Sequence, residues 1–178
     1  MKRKDRHASI KRLTFCAMLV ALGVIFLGIG ALIEVLDIYM AVIASICVII
    51  PMIEYGKGTP WMVYGAISVL SLLLLPNKFP AALFALFAGF YPILKEKFEK
   101  LNKVICWILK EAVFNVSLAA MAIATYFLTT TGDNTLFTSP LFIAVAVVAA
   151  ELVFVLYDVA LTRLISFYII KLRHRFKF

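Results

Sequence analysis

Residues 14–33 read TFCAMLVALGVIFLGIGALI, twenty consecutive residues without a charge. A helix rising 1.5 Å per residue needs about 20 apolar residues to cross a hydrocarbon core of about 30 Å. This stretch is therefore predicted to be a retained membrane span. Six basic residues precede it (Lys2, Arg3, Lys4, Arg6, Lys11 and Arg12), as in a signal peptide. The apolar run is longer than a typical signal core, however, and no small-x-small cleavage pattern closes it.

Composition extends that reading to the whole chain. Of its 178 residues, 64% are hydrophobic and 16% charged, and mean hydropathy is +1.02. An average soluble domain is roughly 45–50% apolar and about 25% charged. This much apolar surface predicts an all-α membrane protein, a compact bundle of about six transmembrane helices forming a single domain over 1–178. The spans are placed at about Thr14–Ile33, Ile38–Ile53, Pro60–Leu75, Ala81–Leu94, Val104–Leu128 and Pro140–Ile170. Residues 1–13 and 171–178 are expected to be basic cytoplasmic ends. The third and fourth spans are short for the bilayer. No run alternates in the manner of a membrane β-barrel strand.

Charge placement predicts orientation. The net charge is +8, but the basic residues gather at span ends, so the partner expected is the lipid bilayer and not nucleic acid. With both termini inside, seventeen of the eighteen Lys and Arg fall on cytoplasmic segments, and only Lys78 lies outside. A bacterial cell membrane, crossed several times, is the expected location.

Motifs that carry soluble chemistry are missing from the sequence. There is no Walker A loop, no HExxH and no serine-nucleophile elbow. Cys16, Cys47 and Cys106 stand singly in apolar stretches, and both histidines, His7 and His174, lie in the basic ends. No metal site, cofactor or catalytic residue is expected, and the chain is read as a non-enzyme.

The polar residues inside the spans are the candidates. Glu151 and Asp158, seven apart on the last span, share a helical face. An ionised group in the bilayer is costly and turns inward or toward a partner. Asn115 falls at the depth of Glu151, and Lys110 and Glu111 near that of Asp158. Glu151 reads either as a ligand or proton contact or as an interhelical hydrogen-bond partner. Tyr64, Ser68 and Ser71 form a stripe that either lines a cavity or bonds back to its own helix. Glu34, Asp37, Asn77, Lys78 and the loop Gly132-Asp-Asn134 either cap an outward-opening cavity or are solvated ends. Trp61 and Trp107 read as aromatic anchors. Ala17 and Ala21, four apart with Gly28 beyond, form a flat stripe for close helix packing, inside the bundle or against another protein.

The chain resembles the substrate-binding S components of energy-coupling factor (ECF) transporters. The resemblance rests on Ala17-Met-Leu-Val-Ala21 after the lead Lys11-Arg12-Leu-Thr14, on the six-span layout, and on a length under 200 residues. The stretches Leu72-Leu-Leu-Leu-Pro-Asn-Lys78, Phe90-Tyr-Pro-Ile-Leu-Lys95 and Leu156-Tyr-Asp-Val-Ala-Leu-Thr-Arg163 look like those of small Gram-positive membrane proteins that are themselves S-component-like. The resemblance implies a subunit that binds a vitamin-like micronutrient from outside. It would dock through Ala17 and Ala21 onto a membrane coupling subunit driven by two ATPases. The candidate substrate-binding residues are Glu34, Asp37, Tyr64, Ser68, Lys78, Asn115 and Glu151. Two other classes stay open: a structural or assembly membrane protein without its own ligand, and an intramembrane enzyme or stand-alone carrier.

Overall fold

A computed structural model describes the backbone of residues 2–56, 58–129 and 140–172. Lys57, most of the loop 129–139 and the end of the basic tail thus lie outside the described residues, as do the side chains of the first eight residues and of Glu34. The described chain is helical throughout: α1 (Lys2–Leu32), a single 3₁₀ turn (Glu34–Leu36), α2 (Asp37–Tyr55), α3 (Thr59–Leu74), α4 (Phe79–Leu83), α5 (Tyr91–Phe98), α6 (Lys103–Thr129) and α7 (Pro140–Phe167). Five stretches are long and apolar enough to cross a membrane: Ser9–Leu32, Asp37–Tyr55, Phe79–Phe98, Lys103–Ala124 and Ala144–Ile170. The sixth apolar helix, Thr59–Leu74, is shorter; its 16 residues rise about 24 Å, less than the ~30 Å core. The protein is thus a multi-pass membrane protein by the length and apolarity of its helices.

The chain divides into two units, residues 1–112 and 113–178. In the first, α1 starts earlier than the apolar run does. Lys and Arg are good helix formers, and no Gly or Pro interrupts the chain before Gly23, so the helix continues through the basic lead. The core of this unit comes from α1, α2, α3 and the Phe79–Phe98 span. Leu27, Val48, Ile67 and Phe84 are buried there together with Ala41, Ala44, Ala81 and Ala88. In lipid there is no hydrophobic drive between helices, so association depends on close packing, which small residues permit. Gly30 shows how close: a Cβ there would come within 3.1 Å of Met40 Cβ and 3.5 Å of Asp37 Cα.

Each break in this unit has a local cause. Gly56, at φ +78°, ends α2 in a backbone region that side chains disfavour, and Pro60 occupies the first turn of α3. At the far end of α3, Lys78 Nζ donates to the carbonyls of Leu72 (2.8 Å) and Leu75 (2.6 Å), satisfying groups the helix terminus leaves open. The Asn77 side-chain oxygen accepts the Phe79 amide at 3.0 Å, an Asx turn that leads into α4.

The fourth span, expected as one unbroken helix over 81–94, differs. Residues Phe84–Ala88 form a π-turn between α4 and α5. The Gly89 amide reaches back five residues to the Phe84 carbonyl (2.8 Å). Pro92, without an amide hydrogen, deprives the next turn of a rung. The carbonyl of Ala85, which an α-helix would pair with Gly89, instead accepts the Tyr64 hydroxyl at 2.7 Å.

The second unit contains the remainder of α6 and α7. Phe114 stacks on Phe154 at 4.5 Å and 14°, and Asn115 bonds Glu151. One residue number rises as the other falls, so the two helices run antiparallel.

Candidate functional site

Three places in the structure bring polar or unusually small residues together. The first is a groove between α1 and α3. Arg12 lies beside Thr59 and Gly23 beside Ile67, so the two helices run parallel. Cys16 and Val63 are buried between them. Toward the surface the helices part, leaving an open groove of about 760 Å³. Ser9, Leu13, Ala17, Val20 and Ala21 line it from α1, at spacings of three and four. Met62, Ala66 and Leu70 form the facing wall. Ala17 and Ala21 are both exposed, so within this unit they are not part of the core.

Polarity is concentrated at one end of this groove. The Arg12 guanidinium donates to Thr59 Oγ1 and sits 5.3 Å over the Tyr55 ring. That ring in turn meets Phe15 edge-on at 6.1 Å. A guanidinium has five N–H donors in a planar fork, of which Thr59 takes one. Sequence reading singled out the two alanines but not the facing wall. Thr59, Met62, Ala66 and Leu70 recur every three or four residues, the spacing of a single helix face, and that was the available signal.

The second place surrounds Tyr64. Trp61 packs edge-on against it at 5.9 Å, with Phe84 at 6.1 Å and Phe90 at 6.3 Å. Ser68 is buried one turn along α3, and the Ser71 hydroxyl donates to the Ser68 carbonyl at 3.1 Å. Tyr64 hydroxyl is engaged with Ala85, so the stripe is tied into the helices around it. Widened π-turns are frequent at functional sites; here the turn serves to dock Tyr64.

The outer candidates hold different posts. Asp37 is buried as the first residue of α2, where the helix dipole favours a carboxylate. Glu34 belongs to the preceding turn, and Lys78 caps α3. At the opposite end of α5, Lys95 is buried with its ammonium 3.7 Å from Glu99, which also lies 3.8 Å from Lys110.

The third place is in the second unit, where Asn115 Nδ2 donates to Glu151 Oε1 at 3.2 Å. These two candidates are brought together as their depths predict. Asp158 is buried about two turns further on, its backbone carbonyl accepting the Thr162 hydroxyl at 2.9 Å. Among the described residues, no group of His, Cys, Asp and Glu could hold a metal ion.

The chain matches no family model, no curated protein and no solved structure.

Proposed function

We propose that this protein is the substrate-binding membrane subunit of an ECF-type uptake transporter for a vitamin-like micronutrient. In this reading it docks onto a membrane coupling subunit, itself driven by two ATPases, through the small-residue face of α1. The observation that supports it is the exposure of Ala17 and Ala21 along the open α1–α3 groove. Small residues used for packing inside a bundle are covered by their neighbours, whereas these present a flat face outward. Replacing both alanines by Trp tests the docking: co-purification of the coupling subunit is expected to disappear, and unchanged co-purification removes the reading.

The reading requires both termini on the cytoplasmic side of a bacterial cell membrane, in agreement with the placement of seventeen of the eighteen basic residues. All three native cysteines are buried, so an added cysteine can be labelled above a low background. In intact cells an impermeant maleimide is expected to label Asn134→Cys and to spare His174→Cys. The reverse pattern, or labelling of both, contradicts the orientation.

A structural or assembly role is the second reading, and the Asn115–Glu151 bond favours it. That bond joins two helices at a depth where an isolated carboxylate is costly, and so works as an interhelical clasp. Such bonds average about 0.6 kcal/mol in membranes. Glu151→Gln separates the readings. A substrate contact predicts at least a tenfold weaker retention of a co-purifying small molecule with an unchanged melting point. A clasp predicts a shifted melting point and unchanged retention.

A further inference from the structure

We infer that, in the undocked protein, the α1–α3 groove holds one acyl chain of an anionic phospholipid, with its phosphate at Arg12. This goes beyond the proposed function and does not depend on it. The groove has the polarity pattern of a phospholipid. Its walls are apolar along Leu13, Ala17, Ala21, Ala66 and Leu70, and its polar groups lie at the Arg12–Thr59 end.

Length agrees with this occupant. From Arg12 to Ala21 is nine residues, or about 14 Å of helix rise. That is close to one leaflet, half of a hydrocarbon core of about 30 Å. The groove thus begins where α1 changes from basic to apolar and runs to about mid-bilayer, as a lipid chain does. A space of about 760 Å³ left empty among the chains of a membrane would forfeit dispersion contacts along both walls.

Charge selects the head group. Arg12 is held in place by Thr59 and the Tyr55 ring, so a phosphate meets a donor fork that is already ordered. Lys11, the neighbouring exposed cation, does not line the groove, and Glu54 near the end of α2 is the acid adjacent in sequence to Tyr55. Any partner that uses Ala17 and Ala21 must first displace this chain. A single lipid chain leaves without disturbing the core, because the groove is open along its length.

The test uses the full-length protein alone, without coupling subunits, so a failure of docking and a failure of lipid binding are read separately. The protein is reconstituted in nanodiscs of equal parts phosphatidylglycerol and phosphatidylcholine, extracted in mild detergent, and its retained lipids are counted by native mass spectrometry. Wild type is expected to keep phosphatidylglycerol about fivefold over phosphatidylcholine, the preference given by about 1 kcal/mol for one cation at an anionic surface. Arg12→Gln should bring that ratio to about one, and Lys11→Gln should leave it near the wild-type value. Ala66→Phe, which fills the groove from α3 and leaves α1 untouched, should lower the total lipid retained. A wild-type ratio near one overturns the inference. So does an equal fall in Lys11→Gln and Arg12→Gln, which would mean diffuse attraction to the basic lead. Undiminished lipid in Ala66→Phe overturns it too. If Arg12→Gln does not elute as a monodisperse species, the wild-type ratio and the Ala66→Phe result decide between these outcomes.

Discussion

If the proposed docking holds, a protein carrying Ala17→Trp and Ala21→Trp is expected to lose the coupling subunit while keeping its fold. Both positions are exposed along the groove, so the indoles project away from the first unit's core and the melting point should stay near the wild-type value. The proposed docking face, in contrast, loses the small residues on which the proposal rests. Helices meet closely in lipid where small residues let their backbones approach. Two indoles in adjacent turns hold a partner helix off that surface, with loss of the packing that replaces a hydrophobic drive. A fall of roughly a hundredfold or more in affinity, about 2.8 kcal/mol, would suffice to clear the partner during a wash. Met18→Trp is the matched control: Met18 is exposed on α1 but does not line the groove. The measurement is the ratio of coupling subunit to tagged protein after affinity purification. Equal ratios in the double variant and in Met18→Trp would sink the docking surface.

The spans were legible because the bilayer writes them plainly. Twenty uncharged residues at 14–33 have no other economical reading, and each later break carries its own marker: Gly56, Pro60, Asn77 and Pro80. What lay hidden was the geometry created by two segments at once. Pro92 signals a weak rung in the fourth span, yet its position alone does not say that the turn widens at Phe84–Ala88. That depends on the Tyr64 hydroxyl, from another helix, taking the Ala85 carbonyl. Likewise Lys78 read as the one basic residue outside the cytoplasmic set, while its ammonium caps α3 through two carbonyls. A cap of this kind depends on the chain reversing after Pro76, which composition cannot supply.

The candidate site follows the same division. Asn115 and Glu151 could be paired from sequence because depth along two antiparallel spans is simple arithmetic at 1.5 Å per residue. Ala17 and Ala21 could be read as a stripe, but spacing does not reveal whether a stripe faces inward or outward. The groove also needed α3 to lie beside α1 in parallel, with Thr59 at the level of Arg12. Two helices separated by the whole of α2 give no local signal of that register.

Gly89→Ala is expected to destabilise the protein, against the usual sign of that substitution in a helix. Elsewhere, exchanging Gly for Ala removes unfolded-state freedom and gains about 0.4–1 kcal/mol where the new methyl fits. Gly65 is such a place, since a Cβ there meets nothing within 4 Å. At Gly89 the same atom would lie 2.6 Å from Tyr64 Cδ2 and 2.8 Å from Phe84 Cε1. Both neighbours are rings in a packed cluster and cannot yield like the free end of an aliphatic chain. Overpacking of this kind costs about 1–3 kcal/mol. Moving Tyr64 aside would also weaken its bond to Ala85, worth about 1 kcal/mol. These terms outweigh the backbone gain, so the net effect is a loss of about 1–3 kcal/mol. Thermal unfolding in detergent, followed by tryptophan fluorescence, should place Gly89→Ala below wild type and Gly65→Ala at or above it. Should both melt above wild type, the rings have room to turn, and the close approach of Tyr64 to the widened turn is not what holds α3 against the fourth span. Should Gly89→Ala fall and Tyr64→Phe fall by less, the ring contact and not the hydroxyl bond carries most of the docking energy. A smaller fall for Tyr64→Phe is the expected order, because that variant keeps the ring and loses only the hydroxyl bond to Ala85.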